Sequence, residues 1–417
     1  MASIDLRYGS GIIPVEYDES RFDVLAASDS SKRLSDIEIG DKLDTPIESE
    51  RLDDIVTSGE TVLFVVSDAT RQTGAGELVN LSVRRLIANG TAPHEMAIIF
   101  STGIHRPVTE AEKQEILTPF IAQRIKTLDH NARDLMHVMH VGETSGGIRV
   151  ELNRALFEFA HVVLIGGVTF HYFAGFTGGR KLVCPGLASS KTISATHKLA
   201  FDCETLDRRA GVGAGLLEGN AVHEAFVESA SKVKIAFGVN TIVNDGGEIT
   251  DLFCGDWLES HKAACEVFAD RNSISIAEKR DLVIVSCGGY PFDINMIQAH
   301  KSLEAASYAC SEGGTIVLLA ECRDGLGRDD FLNWFESKDS GELAIKLCEK
   351  YQVNGQTAWS LLKKAETHQV RMLSSLEGGD VRKMRIEGMP ANEIQNGLKN
   401  AKGGYIIPNG SKVRIFN

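Results

Sequence analysis

The chain alternates short apolar runs with longer amphipathic stretches. The apolar runs are rich in aliphatic and β-branched residues, as expected for strands that are buried on both faces of a parallel sheet. The clearest predicted strands are TVLFVV (61–66), MAIIFS (96–101), VVLIGG (162–167), KIAFGV (234–239), DLVIVS (281–286) and TIVLLA (315–320). Helices are predicted where apolar residues recur three or four positions apart, as over 76–89, 110–125, 222–230 and 257–271. This alternation indicates an α/β fold with largely parallel sheets flanked by helices.

The length of the chain indicates two domains. Its 417 residues exceed the roughly 250 to 300 at which a single hydrophobic core stops growing. Near residue 275 a predicted helix gives way to a polar break and then to a new strand. We therefore predict an N-terminal α/β domain over 1–275 and a C-terminal α/β domain over 276–404, with the active site in the interdomain cleft. The strand-like residues 405–417 could return to the first domain.

The composition favours a globular protein that binds small molecules. Hydrophobic residues make up 43% and charged residues 24% of the chain, close to the averages for globular domains. A formal net charge of −13 disfavours partners such as nucleic acid or an anionic membrane surface. The sequence contains no apolar run of 18 residues and no export signal, and its eight cysteines form no CxxC pair. We therefore expect a cytoplasmic protein with free thiols.

Four predicted strands end in polar segments that contain glycine. Because ligands of parallel α/β sheets bind outside the carboxyl ends of the strands, these segments form the candidate site. They are SDATRQTG (67–74), STGIHRP (101–107), GGVTFHYFAGFTGGRK (166–181) and SCGGYPFDINMIQAHK (286–301). Together they predict one composite site.

The first two segments each allow a catalytic and a structural interpretation. Asp68 and Arg71 are three residues apart, so the first turn of a helix would place them on one side, with Ser67 or Asp68 as the cap. Arg71 could then bind a carboxylate or phosphate through two hydrogen bonds, or it could simply pair with Asp68. His105 follows a strand and a Thr-Gly turn, where an imidazole is suited to general acid–base catalysis. The alternative is a histidine that is hydrogen-bonded within its own loop.

The third segment is the strongest candidate for an anion site. Its glycines let the backbone approach a ligand closely, and its free amides with Arg180 and Lys181 would hold a phosphate. It is not a Walker A loop, because the GK[ST] ending is missing. His197 stands alone on a predicted helix sixteen residues after Lys181, and it is structural unless a metal lies opposite. In the fourth segment Gln298 and Lys301 share one helix face, which either reaches a ligand or is solvated.

These segments, in this order and spacing, resemble the motifs of the nickel-pincer lactate racemase family. The motifs are SDATR, STGIHRP, FHYFAGFTGGRK followed by CPG and His197, and IQAHK, and the resemblance covers nearly the whole chain. It implies an isomerase, a racemase or epimerase that inverts C2 of a 2-hydroxy acid through a 2-oxo acid by reversible hydride transfer. The implied cofactor is the nickel-pincer nucleotide (pyridinium-3,5-bisthiocarboxylic acid mononucleotide nickel), which cofactor-synthesis enzymes supply.

The resemblance also implies a role for each motif residue. Lys181 matches the lysine that can tether the cofactor as a thioamide, and His197 matches a nickel ligand. His105 and His171 match the acid–base pair. Substrate-orienting groups match Arg71, Gln298 and Lys301, and groups that contact the cofactor match Asp68, Thr70, Thr177, Gly178, Gly179 and Arg180. One position departs from the lactate enzymes: Ile297 stands where they carry tyrosine, so lactate, malate, a longer 2-hydroxy acid and a sugar acid stay open as substrates.

Two other classes of function stay open from the residues alone. A nucleotide- or phosphate-binding protein without redox chemistry would use TGGRK (177–181) as its anion site. A zinc-dependent hydrolase would use His105, His171 and His197, although no HExxH or carboxylate-bearing ligand motif accompanies them.

Overall fold

A computed structural model describes residues 1–27, 32–134 and 136–417. The chain forms two compact units, and each contains a parallel sheet flanked by helices. The central unit comprises residues 30–200 and 210–268, and the terminal unit comprises residues 1–29, 201–209 and 269–417. The α/β prediction is thus confirmed, whereas the division differs from the predicted continuous domains 1–275 and 276–404. Residues 1–27 and 201–209 join the C-terminal part because they pack and pair there.

The strands are short and are numbered along the chain. They are β1 (Ala2–Tyr8), β2 (Gly11–Tyr17), β3 (Phe22–Val24), β4 (Val62–Ser67), β5 (Met96–Ser101), β6 (Lys126–Leu128), β7 (Val138–Glu143), β8 (Arg149–Asn153), β9 (His161–Gly167), β10 (Phe170–His171), β11 (Gly175–Phe176), β12 (Phe201–Asp202), β13 (Asp207–Arg208), β14 (Ile235–Val243), β15 (Ile249–Gly255), β16 (Ser273–Ser275), β17 (Arg280–Ser286), β18 (Cys310–Leu319), β19 (Gln369–Leu373), β20 (Glu387–Gly388), β21 (Gly404–Ile407) and β22 (Arg414–Phe416).

The helices lie mostly between strands of the two large sheets. They are α1 (Asp36–Asp44), α2 (Leu52–Ile55), α3 (Ala75–Ala88), α4 (Glu110–Ile116), α5 (Pro119–Arg124), α6 (Ala155–Glu158), α7 (Ser190–Lys198), α8 (Ala221–Ala230), α9 (Glu259–Asn272), α10 (Met296–Ser307), α11 (Ser340–Glu349), α12 (Val353–Thr367), α13 (Gly378–Lys383) and α14 (Asn392–Asn400). Single 3₁₀ turns occur at Pro93–Glu95, Gly179–Leu182 and Phe331–Glu336.

The sheet of the central unit has the strand order β15-β14-β9-β4-β5-β6, in which β15 alone runs antiparallel. Every residue of β4 is buried, as its uninterrupted apolar sequence predicts. Within the sheet, β4 has β5 as its neighbour on one side and β9 as its neighbour on the other side. Loops that follow β4 and β9 therefore diverge and leave a crevice at the carboxyl edge of the sheet, where α/β proteins bind ligands.

One predicted helix of the central unit is divided in two. The periodic stretch 110–125 forms α4 and α5, with a break at Leu117 and Thr118. The cause is Pro119, which cannot donate a backbone hydrogen bond and disfavours helical geometry in the residue before it. Proline is accepted at the first position of α5, where that N–H would have no partner within the helix.

The sheet of the terminal unit has the order β20-β19-β18-β17-β21-β3, and its strands are all parallel. Helix α10 follows β17 and packs against β17 and β18. The C-terminal strands also belong here, since β21 pairs with β17 and β3, and β22 pairs with β16. Residues 405–417, which the sequence analysis left free to return to the first domain, thus pair with β3 and β16, which lie within the predicted range 1–275 but belong to the terminal unit.

Residues 201–209 form a short β-hairpin of the terminal unit, made of β12 and β13. The Phe201 ring packs edge-on against Trp359 of α12, with ring centroids 5.0 Å apart. Cys203 forms a disulfide with Cys348, which corrects the prediction that all cysteines are free thiols. The other six cysteines are buried thiols. In the described part of the chain, no helix is both long enough and apolar enough to span a bilayer.

Candidate active site

The segment after β4 is a tight turn and not the start of a helix. Arg71 N–H donates to the Asp68 carbonyl (3.2 Å), and α3 begins only at Ala75, after Gly74 in the left-handed conformation (φ 65°). The prediction that Asp68 and Arg71 share a first helical turn is therefore wrong. Within the turn, Thr70 donates to Asp68 Oδ1 from its backbone N–H (3.1 Å) and from its hydroxyl (2.6 Å). Those two bonds leave Asp68 Oδ2 available to another partner.

That partner is His105, in the turn after β5. Its Nδ1 lies 2.6 Å from Asp68 Oδ2, and Asp68 is 5% exposed while the His105 side chain is 36% exposed. Burial alone would raise the pKa of the Asp68 carboxyl, but His105, Arg71 and the Thr70 hydroxyl hold that pKa at about 2. An ionised carboxylate can only accept a hydrogen bond, so Nδ1 of His105 is the donor and carries the proton. In a neutral His105 ring, Nε2 is then the free base.

Arg71 lies beside this pair. Burial lowers the pKa of its guanidinium, and the neighbouring Asp68 carboxylate counteracts that shift. Its Nη1 donates to the Thr70 carbonyl (3.2 Å), so a hydrogen bond within the turn holds the guanidinium in place.

His171 has the opposite proton arrangement. It lies in the hairpin of β10 and β11, where the Ala174 N–H donates to its Nδ1 (3.3 Å). Because Nδ1 accepts, the proton of a neutral ring is on Nε2. The ring is buried, and it meets Phe173 edge-on with centroids 4.5 Å apart. In their neutral forms, His105 and His171 thus hold the ring proton on opposite nitrogens, Nδ1 and Nε2, respectively.

Lys181 and His197 lie against the same two aromatic rings. The Lys181 ammonium is 5.7 Å from the centroid of Phe173 and 5.6 Å from that of Phe226. The His197 ring is 5.1 Å from Phe173 and 5.5 Å from Phe226, measured between centroids. The aromatic faces stabilise a cation without neutralising it.

His197 is held neutral by its surroundings. It lies near the end of α7 and is 6% exposed. Burial, with the nearby Lys181 charge, lowers the pKa of the His197 imidazole to about 3. Its Nδ1 is buried and has no hydrogen-bond partner among the described residues. A buried neutral imidazole with an unpaired nitrogen is a suitable metal ligand.

The segment 177–181 is tightly held by its own backbone. The Thr177 hydroxyl donates to the Gly167 carbonyl (2.8 Å) and accepts from the Thr169 N–H (2.8 Å). Gly178 and Gly179 have φ angles of 74° and 49°, which side chains rarely adopt. Arg180 is 0% exposed, unlike the partly exposed Lys181 that follows it. The structure thus directs one cation of the predicted anion site inward.

The remaining predicted residues lie in the terminal unit. Gln298 and Lys301 are on α10, and Lys301 Nζ donates to Gln298 Oε1 (2.5 Å), so the predicted shared helix face is confirmed. Asn295 caps this helix by accepting the Gln298 N–H at 3.0 Å. Ile297 packs beside the core of the unit. The substrate roles of these residues stay predictions.

Two site residues gave no signal in the sequence. Phe226 is one apolar position among several on the amphipathic helix α8, and His261 is one polar position on α9. Only the tertiary structure brings their rings to Lys181 and Gly179. In the described residues no three His, Cys, Asp or Glu side chains converge as a metal site, so a zinc hydrolase has no ligand set here.

The fold and this site together define a class of protein. A sheet that is parallel except for β15 carries two histidines in the segments after β5 and β9, as in α/β enzymes that bind their ligands at the carboxyl edge of the sheet.

Comparison with known proteins specifies the family. Residues 8–207 match the lactate racemase N-terminal domain, and residues 276–413 match the lactate racemase C-terminal domain. The lactate racemase of Lactiplantibacillus plantarum is 32% identical over 336 residues, which cover 79% of this chain and 77% of that protein. The lactate racemase of Thermoanaerobacterium thermosaccharolyticum is 28% identical over 426 aligned positions, covering 100% of this chain and 97% of that protein. The chain belongs to the lactate racemase family and is an isomerase.

Solved structures agree with this assignment. The lactate racemase apoprotein from T. thermosaccharolyticum superposes with a TM-score of 0.88 at 27% identity, with 100% of each chain covered. A protein from Thermotoga maritima shares the fold, with a TM-score of 0.73 at 18% identity over 92% of this chain and 99% of that one.

Proposed function

We propose that this protein racemises or epimerises a 2-hydroxy acid at C2, using His105 and His171 as a two-base pair. The observation that carries the proposal is the complementary protonation of these histidines, which Asp68 and the Ala174 N–H impose. The names of its relatives support lactate racemisation as the reaction type. A symmetric inversion needs one group that takes a proton and one that gives a proton, and each must reverse its role for the opposite direction.

The side chains divide the chemistry as follows. His105 Nε2 takes the proton of the C2 hydroxyl as the 2-oxo acid forms, and its Nδ1 proton stays hydrogen-bonded to Asp68. His171 returns a proton from Nε2 when C2 is reduced on its other face; it acts there as the imidazolium, which has taken its second proton from solvent, so that donation leaves a neutral ring. Arg71, a cation beside Asp68, would hold the substrate carboxylate so that the 2-oxo acid can turn without leaving.

The residues around Lys181 fit the nickel-pincer nucleotide. His197 offers a buried neutral nitrogen without a partner among the described residues, and Lys181 offers an amine beside two aromatic faces. When bound, this cofactor would supply a reversible hydride acceptor, which spares the substrate a carbanion. His197 would then be the nickel ligand and Lys181 the covalent attachment, with the cofactor made by separate synthesis enzymes.

The substrate is proposed only at the level of a 2-hydroxy acid. Ile297 is an apolar side chain packed beside the core of the terminal unit, so it gives the substrate no hydroxyl. Lactate and longer 2-hydroxy acids are therefore both to be tested.

The test compares the holoprotein, co-expressed with cofactor-synthesis enzymes, with single-histidine variants on a panel of chiral 2-hydroxy acids. We expect racemisation or epimerisation of at least one acid, nickel in the protein, and a mass increase that maps to Lys181. His105→Ala and His171→Ala should each lower the rate by roughly 10²- to 10⁴-fold, the usual contribution of general acid–base catalysis.

The matched control is His137→Ala, because His137 is an exposed histidine paired with Asp134 (2.7 Å) and should not affect the rate. A holoprotein without nickel or adduct that is inactive on every acid would contradict the proposal. Equal loss of activity in His137→Ala would contradict the assignment of the two bases.

A further inference from the structure

Arg180 is a buried cation that donates to two carbonyls of its own loop. Its Nη2 donates to the Ala174 carbonyl (2.7 Å), and its Nη1 lies 3.5 Å from the Gly178 carbonyl. The guanidinium therefore spans the turn from residue 174 to residue 178. With 0% of the residue exposed, this cation is sequestered from any ligand at the loop surface.

The two carbonyls that Arg180 binds belong to Ala174 and Gly178, which are also hydrogen-bonded to His171 and Lys181 of the candidate site. The Gly178 carbonyl also accepts the Lys181 N–H (3.1 Å), so Arg180 and Lys181 share one acceptor. Ala174 supplies the N–H that donates to His171 Nδ1. A change in the position of the Arg180 guanidinium would therefore be transmitted to Lys181 and to His171.

His261 joins this loop to α9. Its Nε2 lies 2.8 Å from the Thr177 carbonyl and 3.0 Å from Nη1 of Arg180. One ring nitrogen can donate to the carbonyl or accept from the guanidinium, and either bond links α9 to the loop. The ring also packs directly on Gly179, where a Cβ atom would come within 2.6 Å of it. His261 is thus in contact with three successive parts of the segment that precedes Lys181.

We infer that Arg180 and His261 are positioning residues, which brace the 174–181 loop so that Lys181 and His171 are held in place for the reaction. Arg180 does not contact the cofactor under this assignment, in contrast to the sequence-based expectation. The inference rests on the proposed function for its catalytic consequence, but its structural content concerns the loop alone.

The test measures the reactivity of the Lys181 amine in the full-length protein expressed without cofactor-synthesis enzymes. Trinitrobenzenesulfonate labels lysines, and peptide mass spectrometry gives the labelling rate at Lys181, with the exposed Lys346 in the same digest as internal reference. In His261→Leu and Arg180→Met we expect the Lys181 rate to rise by about tenfold, because buried hydrogen bonds of a charged group are lost. His261→Gln should restore the rate to within about twofold of the parent, since its amide can donate to Thr177 and accept from Arg180.

The His261→Asn variant distinguishes the loss of these hydrogen bonds from the effect of placing an apolar side chain at this position. It is as polar as the glutamine variant, but its shorter side chain does not reach both partners, so we expect it to label like His261→Leu. The matched control is His161→Leu, a buried histidine of the same unit at the start of β9, at the opposite edge of the sheet, and it should label like the parent. Circular dichroism identifies any variant that has not folded.

Two results separate the brace from the proposed function. If Lys181 labelling in His261→Leu, His261→Asn and Arg180→Met equals that of the parent, the positioning role is overturned, whatever the activity. If labelling changes as expected but the co-expressed parent carries no Lys181 adduct and no nickel, the positioning role of Arg180 and His261 is supported and the proposed cofactor chemistry is wrong. In an active parent, the Lys181 adduct fraction should fall in His261→Leu and recover in His261→Gln.

Discussion

At the scale of single residues, the site depends on where each proton is held. Asp68 is fixed by two bonds from Thr70, so its second oxygen is directed to His105. The Asp68 pKa is depressed to about 2, below its ordinary value of 3.8. Its carboxylate therefore stabilises the fold above about pH 4, and this stabilisation is lost as the pH falls toward 2. At neutral pH the carboxylate and its orientation of His105 are fully present.

Replacing Asp68 with asparagine tests this control of the His105 ring. The amide keeps the shape but can present an N–H to Nδ1, which would favour a proton on Nε2 and remove the free base. We expect the racemisation rate of the holoprotein, expressed per bound nickel, to fall by roughly a hundredfold or more. Chiral chromatography of the acid that the parent enzyme converts gives the rate.

The control for Asp68→Asn is a second carboxylate–histidine pair in the same unit. Glu60 Oε2 lies 2.8 Å from His161 Nε2, just before β4 and at the start of β9, which is the opposite edge of the sheet. Glu60→Gln should leave the racemisation rate unchanged. A similar loss in both variants would mean that Asp68 acts through general stability.

At the scale of elements, the sequence pattern predicted the strands well, because neighbouring residues largely determine where a strand forms. The run MAIIFS was predicted as a strand over 96–101, and β5 has those bounds because uninterrupted apolar residues suit a strand buried on both faces. Asp68 and His105 could be predicted as site residues because they follow such strands. Their hydrogen bond could not, since it joins residues 37 positions apart. Phe226 and His261 were missed for the same reason: on a helix each resembles an ordinary core or surface position.

The turn before Lys181 should tolerate no side chain at Gly179. An alanine there would adopt an unfavourable φ of 49° and would place its Cβ 2.6 Å from the His261 ring. We expect Gly179→Ala to lower the free energy of unfolding by about 2–4 kcal/mol, the sum of backbone strain and overpacking. Urea denaturation followed by circular dichroism measures the change.

Gly219 provides the matched comparison. Its φ is 68°, but nothing lies within 4 Å of the Cβ position. Gly219→Ala should therefore cost only the backbone strain, about 1 kcal/mol. If the two variants were equally stable, the close packing of His261 on the turn would be wrong.

Helix α10 is anchored by a buried carboxylate one turn after Lys301. Glu304 is 4% exposed, accepts hydrogen bonds from Arg208 (2.6 Å) and Ser360 (3.1 Å), and contacts the Lys364 ammonium. Glu304→Gln would leave two cations without their counter-charge in a buried place. We expect a loss of about 3–5 kcal/mol in the free energy of unfolding of this unit, measured by urea denaturation.

The comparison for this variant is Glu342→Gln on α11. Glu342 pairs with Lys346 one turn later, but both side chains are solvated, so the exchange should change stability little. A small effect in Glu304→Gln as well would show that the cations gain water when the carboxylate is removed.

At the scale of the whole molecule, buried histidines make the fold sensitive to acid. Burial is the main cause that lowers the pKa of His130 to about 4 and those of His223 and His300 to about 3, and it lowers the pKa of His261 well below the ordinary 6.5. The unfolded chain therefore binds more protons than the folded chain below about pH 6.5. The free energy of unfolding must fall as the pH decreases from that value toward the folded pKa values.

Urea denaturation at pH 7.5, 6.0 and 5.0 tests this dependence. Each such histidine contributes up to about 1.4 kcal/mol per pH unit below its unfolded pKa, so the midpoint should fall steeply between pH 6 and 5. Carboxylates with depressed pKa values change the free energy of unfolding mainly below about pH 4.5, so its change between pH 7.5 and 5 reports mainly on the histidines. A midpoint that is constant from pH 7.5 to 5 would contradict the burial of these rings.

The two-unit organisation was predictable from length, but its boundaries were not. Strand β3 pairs with β21, and their paired residues Phe22 and Gly404 are far apart in sequence. No local pattern near residue 22 indicates such a distant partner, so a continuous first domain was the natural expectation. Likewise, residues 201–209 leave the central unit because of the ring of Trp359 and the sulfur of Cys348, which are both distant in sequence.

The pairing of β3 with β21 also has a consequence for synthesis on the ribosome. The chain is made from the N-terminus at about 5–20 residues per second, so Phe22 emerges some tens of seconds before its neighbour Gly404 exists. During that interval the central unit can complete its sheet, and β1 can pair with β2, while β3 waits with its backbone groups unpaired. Nascent chains stalled after residue 268 should therefore bind chaperones through their first 27 residues, and release should follow only when β21 has been translated.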